Sequence, residues 1–227
     1  MITSDRSWRR VAGAARFAQV EYRYRRRMQP KVIFSDLGGV VCRFLPQRRL
    51  DALGEVCGMS SDQVKDVLYT SGLIRRWDLG HDSSTEIHRR MTDGLGYQGS
   101  LAELQELWCR AFEPDSQVLQ LIDGLRPLHT ALLTDNDHLL LDALPQVLPE
   151  VESRFDSLLF SCRLGAAKPD PVVFTRALDL MGCAPAEAVF IDDKAANVAA
   201  AQELGITAIQ FGDAAELGTE LGMLLAR

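Results

Sequence analysis

The feature that most constrains this chain is the segment Lys31–Val41, where Pro30 precedes a short apolar run and a pair of glycines, Gly38 and Gly39, follows it. The run is too short for a core helix, and proline and glycine typically punctuate a strand, so the segment predicts a buried β-strand. A single carboxylate, Asp36, stands where that strand ends. Because ligands bind at the carboxyl ends of strands in open α/β sheets, Asp36 is a candidate for chemistry, with a cap of the next turn as the alternative.

Further short apolar runs alternate with helical patterns along the rest of the chain. Four more strands are predicted, at 130–134, 157–161, 188–193 and 207–211. Helices are predicted between them, at 116–127, 170–181 (with Asp170 as N-cap and Gly182 past the end) and 195–204 (with Gly205 past the end). This alternation predicts an α/β fold with a mostly parallel sheet that is covered by helices on both faces.

One long segment interrupts the alternation. Residues 45–113, called the helical insert below, place apolar side chains at helical spacing and contain no predicted strand. An insert of this size predicts a small helical cap domain, with a core domain formed by residues 31–44 and 114–227. Residues 1–30 form a basic extension, for which a helix over 5–27 and a frayed segment are both open.

Charge is distributed unevenly. The net charge is −6, but residues 1–31 hold nine Lys or Arg and two acidic residues, a net of +7, so the remaining 196 residues carry −13. An acidic body is atypical of a nucleic-acid enzyme, and we expect no nucleic-acid partner.

The cysteines and the hydropathy indicate a compartment. Five cysteines are scattered without a Cys-x-x-Cys pair, which favours free thiols in a reducing compartment over a disulfide framework or a zinc site. No apolar run approaches the length of a membrane span. We therefore expect a cytoplasmic protein with no membrane partner.

Chemically active side chains stand at the ends of several predicted strands: Asp36, Thr134, and the pair Asp192-Asp193, with Lys168 just before a helix. In a parallel sheet these ends share one rim, so the groups can converge. Clustered carboxylates suit Mg²⁺, and a lysine with a hydroxyl suits a phosphate. The alternatives are a dipole-favoured helix start for Asp192-Asp193 and a surface charge for Lys168.

Four ordered segments resemble the motifs of the haloacid dehalogenase (HAD) superfamily: Asp36-Leu-Gly-Gly-Val40, Leu-Leu-Thr134, Lys168-Pro-Asp-Pro171 and Phe-Ile-Asp192-Asp193. The helical insert is similar to the C1 cap of its phosphatases, and Trp77–Ser83 is similar to a segment of its sugar-phosphate phosphatase branch. The resemblance covers about Lys31 to Phe211. It implies a Rossmannoid core with a cap and a Mg²⁺-dependent phosphatase that acts on a small phosphorylated metabolite.

The resemblance also implies roles. Asp36 would be the nucleophile that forms an aspartyl-phosphate, Thr134 would bind a phosphate oxygen, and Lys168 would neutralise charge. The expected Mg²⁺ ligands are Asp36, the Gly38 carbonyl, Asp193, and Asp192 directly or through water. Asn197 would support this site from one helical turn beyond Asp193, or would be an exposed polar residue.

Two positions depart from the family pattern. Position 38 is usually a second Asp that acts as general acid and base, and here it is Gly38. A good leaving group, water or a residue of the insert would have to compensate. His81 is the candidate from the insert, with an ordinary surface histidine as the favoured alternative. Asp135 stands where the branch often has Asn, and a carboxylate there would oppose a phosphate unless it faces a substrate hydroxyl or the insert.

The substrate would be recognised by residues of the insert, for which Arg75, Arg76, Trp77 and His81 are candidates, with a solvated charged turn as the alternative. A haloacid dehalogenase also uses an Asp nucleophile, but it needs no metal and has little use for Asp192-Asp193. A binding module that has lost turnover is the remaining alternative, and only Gly38 favours it.

Overall fold

The computed structural model describes residues 30–226, so the basic extension and the helix expected over 5–27 lie outside the described residues. The strands are β1 (Val32–Ser35), β2 (Cys42–Phe44), β3 (Phe112–Pro114), β4 (His129–Thr134), β5 (Ser157–Phe160), β6 (Ala188–Asp192) and β7 (Thr207–Gln210). The α-helices are α1 (Pro46–Cys57), α2 (Ser61–Lys65), α3 (Leu73–Asp78), α4 (Ser84–Leu95), α5 (Leu101–Cys109), α6 (Ser116–Asp123), α7 (His138–Val147), α8 (Pro149–Glu152), α9 (Ser161–Leu164), α10 (Pro171–Met181), α11 (Ala195–Glu203) and α12 (Ala214–Leu225). A π-helical turn spans Asp66–Thr70, and a 3₁₀ turn spans Pro185–Glu187.

A five-stranded sheet with the order β5-β4-β1-β6-β7 forms the centre of the molecule. All of its neighbouring strands pair in parallel, and β1 is the middle strand. The carboxyl ends of β4, β1 and β6 therefore lie side by side along one edge of the sheet, which is called the rim below.

Apolar side chains alternate along the strands and fill two cores, one on each face of the sheet. Phe34, Leu133 and Phe190 pack with α10 and α11 on one face. Ile33, Leu132 and Ile191 belong to the larger core on the other face, which continues through α6, α7, α12 and the helical insert. The predicted α/β fold with helices on both faces is confirmed.

The structure corrects one expectation about the helical insert. Its end is not helical, because Phe112 and Glu113 belong to β3, which pairs antiparallel with β2. The strand is only three residues long, and its Phe112 continues the helical apolar spacing of α5, so no period-2 signal is present in the sequence. The small two-stranded sheet of β2 and β3 brackets the insert, and the division into a cap and a core stays a prediction.

The helix ends follow their local chemistry. Asp170 caps α10 by accepting a hydrogen bond from the Val172 amide at 2.9 Å, and Gly182 ends the helix in the left-handed conformation, both as predicted. α6 ends at Asp123, earlier than the predicted 127. None of the helices described between residues 30 and 226 combines the length and the apolar character that a membrane crossing needs.

Candidate active site

Neighbouring strand ends bring the predicted site residues together. Ser35 of β1 is in register with Leu132 of β4 and with Ile191 of β6. Asp36, the next residue, therefore lies level with Leu133, one residue before the end of β4, and with Asp192, the last residue of β6. Its amide donates to the Ile191 carbonyl at 2.9 Å. The parallel register places a carboxylate between two other polar strand ends at the rim.

Asp36 is only 4% exposed, so the surrounding residues control its charge. Its Oδ1 accepts a hydrogen bond from the Leu37 amide at 2.7 Å and lies 3.0 Å from the Lys168 Nζ. Burial raises the pKa of the Asp36 carboxyl to about 6, and Asp192 and Asp135 act in the same direction while Lys168 opposes them. The Lys168 contact thus helps to keep Asp36 ionised, which a nucleophilic carboxylate requires.

Lys168 is the cation of the cluster. Its Nζ is enclosed and contacts three oxygens, those of Asp36 at 3.0 Å, of Asp192 at 2.8 Å and of the Leu133 carbonyl at 3.0 Å. Burial alone would lower the pKa of the ammonium, but the charges of Asp36, Asp135 and Asp192 outweigh it and raise the pKa. Lys168 is therefore a permanently charged, fully hydrogen-bonded group, and the alternative of a surface charge is excluded.

Asp192 is completely buried at the end of β6. Its Oδ1 accepts hydrogen bonds from the Lys194 amide at 2.8 Å and from the Asn197 Nδ2 at 3.0 Å. Its Oδ2 accepts from the Lys168 Nζ at 2.8 Å and from the Asn197 Nδ2 at 3.0 Å. A carboxylate has about four acceptor positions, so Asp192 is saturated by these partners. Asn197 is buried and holds Asp192, which excludes the alternative that Asn197 is an exposed polar residue.

Asp193 differs from Asp192 in its hydrogen bonding. Its Oδ1 is buried and has no hydrogen-bond partner within residues 30–226. Such an atom is costly unless a cation or water binds it. Oxygens of Asp36, Asp192 and Asp193 all lie within 4.8 Å of one another. The donor set and the orphaned oxygen fit a hard divalent cation.

Position 39 needs a glycine for a steric reason. Gly39 has φ +91°, and a Cβ on it would lie 2.5 Å from the Asp193 Cγ. Gly38 does not share this constraint, since a Cβ there would meet Phe112 Cε1 and Phe44 Cβ at 3.4 Å. Gly39 thus allows the Asp193 carboxylate to approach the backbone, whereas Gly38 is not required by space.

Thr134 ends β4 and is buried. Its Oγ1 accepts a hydrogen bond from the Asn136 Nδ2 at 2.7 Å, which leaves the hydroxyl proton free to donate to an anion at the rim. The half-buried Asp135 accepts from the Lys168 amide at 3.0 Å, and burial raises the pKa of its carboxyl. Asp135 is thus fixed beside the rim by a backbone donor.

The candidates in the helical insert are arranged differently from the expectation. Trp77 is fully buried and packs edge-on against Trp108, so it does not contact a substrate. Arg76 is bound to Asp82, with Nε to Oδ2 at 2.8 Å and Nη2 to Oδ1 at 3.2 Å. Arg75 and His81 are exposed, and their part in substrate binding stays a prediction, as does that of Arg76.

Asp78, the residue after Trp77, is a candidate that the sequence motifs did not indicate. Burial is the main reason why the pKa of its carboxyl rises to about 8, and the charges of Asp137 and Asp135 add to this. Arg49 and Lys194 act in the opposite direction. Asp78 of the helical insert is thus close enough to Asp135 and Asp137, after β4, and to Lys194, after β6, for their charges to act on it. Its position directly after a tryptophan, at the end of a short helix, is the only local signal.

Arg49 was also missed, and it lies in the same region. It is 3% exposed, its Nε donates to the Trp108 carbonyl at 2.9 Å, and its guanidinium carbon lies 3.9 Å from the centre of the Trp108 ring. Its Nη2 is buried without a hydrogen-bond partner in the described part of the chain. Because its burial depends on a tryptophan 59 residues away, the local sequence carries no signal for it.

Comparison with known families agrees with the geometry. A model of the haloacid dehalogenase-like hydrolases matches residues 30–205, which is most of the chain. The chain belongs to this family of hydrolases.

Individual known proteins are similar to this chain over most of its length. D-ribitol-5-phosphate phosphatase of Bacteroides thetaiotaomicron is 26% identical over 202 residues, which are 86% of this chain and 98% of the relative. A solved HAD-like hydrolase of Porphyromonas gingivalis is 25% identical, with a TM-score of 0.74 over 88% of this chain and 99% of the other. A HAD-family enzyme of B. thetaiotaomicron, solved with magnesium and inorganic phosphate, shares the fold at 23% identity, with a TM-score of 0.72 over 83% and 98%.

Proposed function

We propose that this protein is a Mg²⁺-dependent phosphatase that hydrolyses a small phosphorylated sugar or polyol through an aspartyl-phosphate on Asp36. The main support is the pairing of Asp36 with the enclosed Lys168 at 3.0 Å, beside a carboxylate whose Oδ1 has no partner in residues 30–226. Lys168 balances the charge of the nucleophile Asp36, and the carboxylate of Asp193 is suited to binding a cation.

In the first step the Asp36 carboxylate attacks the phosphorus, the bond to the ester oxygen breaks, and the alcohol leaves with a proton. In the second step a water attacks the same phosphorus, the bond to Asp36 breaks, and inorganic phosphate forms. The hydroxyl of Thr134 donates to a phosphate oxygen in both steps. Lys168 lies within contact of Asp36 and offsets its change in charge.

Asp36 and Asp193 would hold the metal ion, with the Gly38 carbonyl as the third protein group. Asp192, whose acceptor positions are already used, would act by holding Lys168 in place. When bound, Mg²⁺ supplies charge stabilisation at the phosphate oxygens and orients the ester. This protein's contribution is to hold the carboxylates ready on rigid strand ends.

The substrate class rests on two observations. The similarity to a D-ribitol-5-phosphate phosphatase extends over 98% of that relative. The rim also faces Asp78, Asp135 and Lys194, which are polar groups that suit hydroxyls of a sugar or polyol. The helical insert would cover these groups as a cap.

The experiment that tests this proposal is phosphate release from a panel that contains ribitol 5-phosphate, other sugar phosphates and 4-nitrophenyl phosphate. It is run with Mg²⁺ and with a chelator, on the wild-type protein and on Asp36→Asn. We expect release that needs Mg²⁺ and that falls ~10⁴-fold or more in Asp36→Asn, because the nucleophile is lost.

Asp93→Asn is the matched control, since Asp93 is an exposed carboxylate of α4 outside the site. It should keep its activity. Release by Asp36→Asn at the wild-type rate, or release that the chelator does not change, would contradict the proposal. Halide release from a 2-haloacid without phosphate release would favour the dehalogenase reaction instead.

A further inference from the structure

Hydrolysis of an alkyl phosphate needs a proton for the departing alcohol, and the cluster around Asp36 does not supply one. Lys168 donates to three oxygens and its pKa is raised. Asp192 is saturated as a carboxylate, and Gly38 has no side chain. Beyond the missing side chain of Gly38 lies an apolar wall of Phe44 and Phe112. A side chain that donates this proton, rather than water, would have to come from the insert or from the loop after β4.

The backbone just after Asp78 packs closely against α9. Asp78 ends α3, and Gly80, two residues later, has φ +79° and lies so close to α9 that a Cβ on it would be 1.9 Å from the Cys162 carbonyl oxygen. Cys162 in turn donates its amide to the Asn136 carbonyl, at 3.4 Å, in the loop after β4. The segment that carries Asp78 thus packs against the residues that follow β4 and β5.

The carboxyl end of α3 is also anchored within the helical insert. Trp77 is completely buried, and its Nε1 donates to Asp82 at 3.1 Å. Asp82 also binds Arg76, and its Oδ2 lies 2.9 Å from the Arg90 Nε. Trp77 and Gly80 thus fix the backbone on either side of Asp78.

The carboxyl itself is uncommitted and favours its protonated form. No hydrogen bond is among the main influences on its pKa, in contrast to Asp135, which accepts the Lys168 amide. The charged or titratable groups that influence it come from several elements: Arg49 of α1, Asp135 and Asp137 after β4, Cys162 of α9, and Lys194 before α11. Their balance, with burial first, raises the pKa of Asp78 to about 8.

We propose that Asp78, from the helical insert, is the general acid and base of the phosphatase reaction, in place of a carboxyl at position 38. This inference rests on the proposed function. As the bond between phosphorus and the ester oxygen breaks, the Asp78 carboxyl gives its proton to that oxygen. The Asp78 carboxylate then removes a proton from the water that attacks the phosphoryl group on Asp36, and the acid is regenerated with the release of phosphate.

Asp78 is favoured over the other candidates on structural grounds. His81 is exposed and follows the Gly80 turn. Asp135 receives a backbone hydrogen bond that stabilises its charged form, which opposes proton donation. Arg49 and Lys194 are the cations that stabilise the Asp78 carboxylate after it has given up its proton.

The test compares the first turnover of two esters in Asp78→Asn. Release of the alcohol from ribitol 5-phosphate should fall by ~10²–10⁴-fold, whereas the burst of 4-nitrophenol should change by less than ~10-fold, because a good leaving group needs no proton. Steady-state release after the burst should be slow for both, since the base for water is also lost. The normal burst shows that the variant is folded.

The pH profile gives a second readout. In the wild-type protein, kcat/KM for ribitol 5-phosphate should decline as the pH rises above about 8, where Asp78 loses its proton. Asp78→Asn should lack this alkaline limb. Asp93→Asn, which removes an exposed carboxylate from α4, should match the wild type on both esters.

Equal losses on both esters in the first turnover, or no loss on either, would overturn the role of Asp78. A selective loss in Asp135→Asn, with Asp78→Asn unaffected, would also overturn it and would assign the role to Asp135. These results differ from a failure of the proposed function, in which the wild-type protein itself would release no phosphate from either ester.

Discussion

The two sides of this site differ in how their polar groups are satisfied. On the rim, Lys168 and Asp192 are buried with every hydrogen-bonding position in use. On the side of the helical insert, the Arg49 Nη2 has no hydrogen-bond partner in residues 30–226, and burial, not a hydrogen bond, is the main influence on the pKa of Asp78. A group that is already satisfied gains little from a ligand, whereas an unsatisfied group gains much.

This difference indicates a division of labour. The rim is preorganised for a constant chemical group, the phosphoryl group, and keeps its charges in place before a substrate arrives. The side of the helical insert keeps polar groups available, so that they can bind the variable part of the substrate and transfer a proton to its leaving group. Variants on each side should therefore respond differently, and the rim lysine should respond most strongly.

Lys168→Met should damage both stability and activity. It leaves the buried carboxylates of Asp36 and Asp192 without their common cation, which typically costs about 3–5 kcal/mol of unfolding free energy. Because Lys168 lowers the pKa of Asp36, this carboxyl should bind its proton at a higher pH in the variant than in the wild type, whose Asp36 has a pKa of about 6. The deficit should therefore shrink as the pH falls towards 6. Urea unfolding at pH 7 and at pH 5, beside phosphate release, checks this.

Lys31→Met is the control for the loss of a lysine, because its pair with Glu187 is exposed. It should leave the unfolding curve nearly unchanged. If Lys168→Met unfolds like the wild type at pH 7, the rim is not a tightly coupled cluster.

Gly39→Ala and Gly38→Ala should differ although the residues are adjacent. An alanine at position 39 would have to adopt φ +91° at a cost of about 1–2 kcal/mol, and its Cβ would displace the Asp193 carboxylate. We therefore expect Gly39→Ala to need a much higher Mg²⁺ concentration for half-maximal activity. Gly38→Ala makes contacts at 3.4 Å and should keep the wild-type Mg²⁺ dependence. Equal Mg²⁺ curves for the two variants would show that the metal does not depend on Asp193.

Two carboxyls of the insert should respond to pH with opposite signs. The folded protein raises the pKa of Asp78 to about 8, so this group lowers the stability as the pH rises from about 4 to 8. Asp78→Asn removes that loss, and we expect it to be more stable than the wild type at pH 8 by ~1–2 kcal/mol, with little difference at pH 4. Thermal unfolding across this range measures the effect.

Asp82→Asn is the matched comparison. A hydrogen bond from Arg76, together with Arg90, lowers the pKa of Asp82, so its stabilisation is present at neutral pH and is lost as the pH falls. The variant should be less stable than the wild type at pH 7, and the two should converge on acidification. If both variants, Asp78→Asn and Asp82→Asn, changed the stability in the same direction at neutral pH, the contrast between the two carboxyls would be contradicted.

The sheet and the rim could be predicted from the sequence because their signals are local. Strands such as Val32–Ser35 and Ala188–Asp192 are covered on both faces, so they are short apolar runs, and each leads into a polar residue at the rim. The ordered residues Asp36, Thr134, Lys168 and Asp192 then define the cluster.

The insert side could not be predicted because its signals are tertiary. Arg49 is buried by stacking on Trp108, and Asp78 is placed by the contact of Gly80 with Cys162. Trp77, which the sequence offered as a contact for the substrate, is instead a core residue. In a short helix such as Leu73–Asp78, the apolar spacing does not separate an outward face from an inward one.

Both the preorganised rim and the proton transfer from the insert require that Asp36 carries the phosphoryl group. This can be measured by mixing the protein with 4-nitrophenyl phosphate and Mg²⁺, quenching with acid within the first turnover, and locating the phosphoryl group by peptide mass spectrometry. We expect a phosphoryl group on Asp36 that appears with the burst and is absent from Asp36→Asn. Phosphate release at the full rate with no phosphoryl group on Asp36 at any time would contradict the proposed mechanism.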